Sequence, residues 1–185
     1  GNVERLYNEL TSSKYNLKVW WDKKCLLYGE LFEKEFCAGL VKSRTFVCVL
    51  SRGAINHPEK DGQNFGKLTK DSKCDNVFLE HRMALELMRL GLITKIFPVM
   101  IGNANNESKP TSFGSFFDER YLPNASNTYV TSVEDKLREH MAKQALGTPM
   151  EESKTVKEVL DEITAFHGSD LEGNIDAALE QWQRL

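Results

Sequence analysis

The sequence predicts an α/β fold in which a mainly parallel sheet is wound between helices. Three observations carry this. Apolar runs of strand length alternate with stretches whose apolar residues recur at helical spacing. Two of the runs, Thr45 to Leu50 and Ile96 to Ile101, are nearly continuous, as in strands covered on both faces. The long stretch between them contains a helical pattern, and a crossover of this kind is what parallel strands need.

The elements follow in order. Asn2 to Leu10 sets Val3, Leu6, Tyr7 and Leu10 on one helical face. Leu17 to Trp21 reads as a strand. Leu31 to Val41 repeats Leu31, Phe32, Phe36, Leu40 and Val41 at helical spacing. Thr45 to Leu50 is rich in β-formers and reads as a buried strand, and Gly53 to Lys73 is polar and loop-like. Val77 to Leu90 stripes Leu79, Met83, Leu87 and Leu90 along a helix, with Gly91 as its stop. Ile96 to Ile101 is a further strand, Asn103 to Pro123 a long loop, and Thr128 to Val130 a short last strand. Helices are expected at Val133 to Ala145, Thr155 to Phe166 and Ile175 to Leu185. Gly147-Thr148-Pro149 marks a boundary between one domain, residues 1–147, and a helical extension, 148–185.

Composition narrows the function classes. The chain has 185 residues, 41% hydrophobic, enough for one domain with a sizeable core. Its net charge is −3 and no dense Lys/Arg block occurs, which argues against a broad nucleic-acid face. No apolar run reaches membrane-spanning length and no signal-peptide pattern opens the chain, so a soluble cytoplasmic domain is the expectation. Cys25, Cys37, Cys48 and Cys74 form no CxxC pair and no Cys/His metal spacing. They read as reduced thiols, with Cys37 and Cys48 in the core. The segment Gly62 to Lys67 is one residue short of a phosphate-binding loop and lacks its Ser/Thr, so that assignment is rejected.

Ligands of parallel sheets bind at the carboxyl ends of the strands. Asp22, Ser51 and Gly102 fall just past predicted strand ends, and Glu80 sits one turn into the helix that follows. Trp20 and Trp21 alternate faces, so either can be core or border a pocket. Asp22 either hydrogen-bonds a ligand hydroxyl or caps its loop. Gly29 supplies a positive φ, and Ser51 meets a ligand or caps a turn. Arg52 pairs with a phosphate or is simply exposed. His81 reads as a surface histidine and Glu86 as solvated.

The run VWWDKKCLLYGELFEKEFCAGLVKSRTFVCVLSRGAI holds a strand ending in an acid, a loop with a glycine, a helix, and a strand ending in Ser. DNVFLEHRMALEL then brings Glu80 into a helix five residues after Asp75. Together these resemble the Toll/interleukin-1 receptor (TIR) domain, and within it the branch that cleaves NAD+. The resemblance covers roughly Asn2 to Leu146. It implies a flavodoxin-like doubly wound parallel sheet. The family's opening strand, which reads like YDVFISY, and the loop after it have no counterpart here, so the sheet is expected without them.

The resemblance further implies an NAD+ nucleosidase with Glu80 as its catalytic residue. Trp21, Asp22, Gly29, Ser51 and Arg52 would bind substrate. It implies no metal and no cofactor beyond NAD+ as substrate, and a place in innate immune or cell-death signalling. The partners implied are NAD+ and other TIR domains, met by self-association through the loop around Gly29. The alternative is a non-enzymatic adaptor that acts by TIR–TIR assembly alone. The chemistry suits a single carboxylate: nicotinamide is already cationic in NAD+ and leaves unprotonated, so an oxocarbenium-like ribose is what needs stabilising. The bland alternative is a glutamate favoured near a helix start by the dipole.

Overall fold

A computed structural model describes residues 2–25, 32–51, 68–101, 127–149, 152–166 and 169–171. Strand β1 (Thr45–Ser51) pairs in parallel with β2 (Lys95–Ile101), from Thr45 opposite Lys95 to Ser51 opposite Ile101. A short β3 (Ser169–Leu171) pairs in parallel with the other edge of β2, giving the order β1-β2-β3. The fold is therefore α/β with a parallel sheet.

Side chains alternate across a strand, and here each face meets its own core. Cys48, Leu50 and Ile96 enter the larger cluster, whereas Val47, Val49, Phe97 and Val99 turn to the smaller one. Helix α1 (Asn2–Thr11) covers the second face with Leu6 and Leu10. Four helices cover the first face: α3 (Phe32–Val41), α4 (Asn76–Arg89), α5 (Thr131–Lys143) and α6 (Val156–Ala165). Burial on both faces explains why β1 and β2 read as nearly unbroken apolar runs. The remaining helix, α2 (Asp22–Cys25), is one turn long.

The helix ends are chemically marked. Asp75 caps α4, its Oδ1 accepting the Phe78 N–H at 2.8 Å. At the other end Gly91, at φ +71°, donates to Met88 O while Leu92 donates to Leu87 O. This is a Schellman closure, so Gly91 stops the helix as its position in the pattern predicts. Thr155 and Glu158 close α6 with a reciprocal capping box.

Three expectations are corrected. Leu17 to Trp21 joins no ladder among the described residues, so it is not a strand of the sheet they form. Thr128 to Val130 is not a strand either: Val130 is the N-cap of α5, and the Thr128 carbonyl accepts the Val156 N–H. Past Gly147 the sequence predicts only helix. Residues Val156–Ala165 are helical, but Ser169–Leu171 is a strand, and Val156, Val159, Leu160 and Ile163 complete the larger core. The expected helix at Ile175 to Leu185 lies outside the described residues.

Candidate active site

In a parallel unit the helix leaves from the carboxyl end of one strand and returns to the amino end of the next. Helix α4 follows β1 and precedes β2, so its first turns stand at the carboxyl edge of the sheet. Glu80 lies in those first turns and is partly buried. Among the described residues no cation pairs with it. Burial above all, then the charges of Asp22 and Asp75, push its carboxyl up to about 8. The charge of Asp22 acts on it from α2, a separate segment of the chain. Asp75 is raised too, again by burial, although the Phe78 and Val77 N–H groups favour its charged form.

Three thiols lie in the same part of the fold, and two of them, Cys37 and Cys48, feel the charge of Glu80. Cys37 of α3 is driven far above the usual thiol range by burial, then by Glu33 and Glu80. Cys48 of β1 is pushed up to about 12 by burial, with Glu80 adding to it. Cys74 is pushed up to about 11 by burial and by Glu33 and Asp75. All three stay protonated at neutral pH, which removes them as nucleophiles. Glu80 is thus a half-buried carboxyl on which the negative charges of Asp22 and Asp75 act. Such a site favours a cation, because an arriving positive charge relieves the repulsion and ionises Glu80.

The other expected site residues are spread. Asp22 is partly buried, and its Oδ1 accepts the Lys23 N–H at 2.7 Å, so it also organises the start of α2. Trp21 packs its ring on Tyr7 of α1, 5.2 Å between centroids, and donates its N–H to Cys25 Sγ. Trp20 is 37% exposed and lies across Gly39 of α3, so neither tryptophan is fully in the core. Ser51 ends β1 opposite Ile101, at the same sheet edge. Gly29, Arg52 and Gly102 lie outside the described residues.

Two side chains next to Glu80 are not where the pattern put them. His81 is 2% exposed rather than a surface residue; its Nδ1–H donates to Val77 O at 2.6 Å, and burial pushes the ring down to about 4. Burial thus favours its neutral form at physiological pH. Glu86 is fully buried, not solvated: Arg82 Nη1 donates to it at 3.1 Å and Arg82 Nε to Glu134 at 3.0 Å. Helix α4 is packed against α3, α5, α6 and β2, so it has hardly any solvated face. The Arg82–Glu86 spacing of four was the available signal for this pair. A second polar cluster has no signal in the sequence. Glu33 accepts from His140 Nε2 at 2.7 Å and from Lys136 at 3.0 Å, tying α3 to α5. Burial favours the neutral acid there, yet those two donors hold the Glu33 carboxyl below its usual range.

Among the described residues no group of three or more His, Cys, Asp or Glu is arranged to hold a metal ion. No helix among them is long and apolar enough to cross a membrane. Comparison with protein-family models, with curated proteins and with solved structures finds no match for this chain.

Proposed function

We propose that the chain is a TIR-type domain of flavodoxin-like build that hydrolyses NAD+ at the nicotinamide–ribose bond, giving nicotinamide and ADP-ribose or its cyclic form. The observation that carries this reading is Glu80: a partly buried carboxyl at the carboxyl edge of a parallel sheet, with carboxylates rather than cations as neighbours. The strand order lends support. Three parallel strands ordered β1-β2-β3, with α1 on one face and the other long helices opposite, match strands 3-4-5 of a flavodoxin-like sheet of order 2-1-3-4-5. In that order the strand after the first helix pairs only with the strand before it. On this reading Leu17 to Trp21 corresponds to the strand after the first helix, and among the described residues it joins no ladder.

The reaction follows from the charges. The cationic nicotinamide ring displaces the proton from Glu80 to solvent. As the glycosidic bond breaks, its electron pair leaves with neutral nicotinamide, and the positive charge passes to the ribose. On this reading the Glu80 carboxylate faces that charge and stabilises it, and Asp22 accepts a hydrogen bond from a ribose hydroxyl. Water adding to the ribose carbon releases one proton and completes the hydrolysis. Since free Glu80 holds its proton up to about pH 8, kcat/KM rises with pH through 6 and 7 and levels off above 8.

The test is incubation of the folded protein with NAD+ and chromatography of the products, wild type beside Glu80→Gln. Release of nicotinamide by the wild type alone supports the reading. If a folded, assembled protein leaves NAD+ intact, the adaptor role replaces it.

A further inference from the structure

We propose, resting on that reading of Glu80, that Gly39 and Trp20 are positioning residues of its site. The Trp20 indole, seated on the bare backbone of α3 at Gly39, sets where α2 lies and so where Asp22 stands relative to Glu80.

Helix α2 cannot place itself. It is one turn long, Asp22–Cys25, and none of its residues is buried. A single turn is far below the length at which a helix holds together unaided, and without a buried face it has no core of its own. Its start is fixed by Trp21. The Trp21 carbonyl accepts the Lys24 and Cys25 N–H groups at 2.9 and 2.8 Å, and the Trp21 N–H donates to Cys25 Sγ at 3.3 Å. Asp22 therefore goes where the residues just before it are held. An ion pair from Lys24 to Glu4, at 3.6 Å, is half exposed, and pairs of that kind hold little.

The two tryptophans are seated on different helices. Trp21 packs on Tyr7 of α1. Trp20 lies on α3 at Gly39, where an added Cβ would come within 2.7 Å of its Cδ2 and 2.8 Å of its Cε2. Only hydrogen fits there. Gly39 stands inside α3, where glycine is less favourable than alanine, and the indole supplies the packing reason for it. The same helix packs on α4, with Phe36, Cys37 and Leu40 in the core that holds Leu79 and Met83. One helix thus carries the seat of Trp20 and contacts the helix of Glu80, which gives Asp22 and Glu80 a common reference. The charge of Asp22 acts on Glu80 across that arrangement.

The test measures how strongly Asp22 acts on Glu80, by carbon-detected NMR titration of Glu80 in the full chain with and without Asp22→Asn. In wild type Asp22→Asn is expected to move the Glu80 midpoint toward acid. In Gly39→Ala, whose methyl group displaces the indole, the same substitution should move it no more than about half as far. Trp20→Leu removes the ring and adds nothing to α3. It should weaken the coupling in the same way, and it decides the matter if the Gly39 variant does not fold. Undiminished coupling in either folded variant overturns the proposal, as does a wild type in which Asp22→Asn leaves Glu80 unmoved. Activity is a separate arm. With Asp22 on a ribose hydroxyl, Gly39→Ala should raise KM for NAD+ about tenfold with kcat little changed. A fall in kcat alone would put the disturbance at Glu80 and overturn the role given to Trp20. A wild type that leaves NAD+ intact ends the hydrolase reading, while the titration still decides for or against the seat of Trp20.

Discussion

Helix α4 carries two glutamates, six residues apart, in opposite electrostatic situations. Glu86 is wholly buried and fully answered: Arg82 bonds it, Glu134 shares the same guanidinium, and the Glu152 carbonyl takes a further donor. Glu80 is less buried but has carboxylates where Glu86 has an arginine. The first arrangement fixes how α4 sits against α5 and the segment before α6. The second costs folding energy, because burial and the charges of Asp22 and Asp75 all oppose ionisation of Glu80. The comparison teaches that depth alone does not mark a functional charge; what the surroundings leave uncompensated does.

The paired region breaks most expensively. Arg82→Met strands two buried carboxylates and is expected to cost about 3–5 kcal/mol by urea unfolding. Replacing Arg82, Glu86 and Glu134 together by apolar residues of similar volume should restore most of that loss. A cost below about 1 kcal/mol for Arg82→Met would mean that the triad is not what holds α4 in place.

The unpaired region is expected to behave in the reverse sense, and pH exposes it. Glu80 rises from its ordinary 4.5 to about 8 on folding. Its contribution to stability is therefore fully present below pH 4.5 and is lost as pH rises through 8. Glu80→Gln removes this loss. At pH 9 the variant should be more stable than wild type by about 1–3 kcal/mol, a figure discounted for partial exposure, and the gap should close by pH 5. Denaturant midpoints at the two pH values decide it, and a variant less stable than wild type at pH 9 contradicts the account. Its neighbour His81 slopes the other way. Lowered from 6.5 to about 4, it contributes stability above pH 6.5 that is lost as pH falls through 4. His81→Phe should flatten the acid side of the profile without touching the alkaline side, as unfolding from pH 4 to 7 would show.

The smallest effect sharpens the comparison most. Asp22→Asn removes one like charge from beside Glu80 while leaving the burial that dominates its shift. The carboxyl should titrate lower, by less than about one unit, in a carbon-detected NMR titration. No movement at all would separate Asp22 from the site.

Much of this is legible in the sequence. The predicted helix from Val77 to Leu90 is Asn76–Arg89, and Gly91 stops it. Both buried strands fall within a residue of their expected ends, because a run of β-formers covered on two faces has few alternatives. What failed, failed for want of context. Leu17 to Trp21 has strand chemistry and even strand alternation, but a ladder needs a partner edge that a local pattern cannot supply. His81 and Glu86 were misread because one apolar stripe on α4 suggests one solvated face, whereas helices pack around it on several sides. At the site, the position of Glu80 was legible. The influence of Asp22 on it is suggested only by Asp22 falling just past a predicted strand end, and the influence of Glu80 on Cys37 and Cys48 has no signal in the sequence.

The central claim is that Glu80 is an uncompensated carboxyl reserved for a cationic glycosidic bond, and single-turnover cleavage of NAD+ tests it most directly. With wild type and Glu80→Gln at equal concentration and matched thermal stability, the account predicts nicotinamide release by the wild type. It predicts a loss on the order of a hundredfold or more in the variant, which keeps the shape and loses the charge. Release at equal rates from both proteins would contradict it.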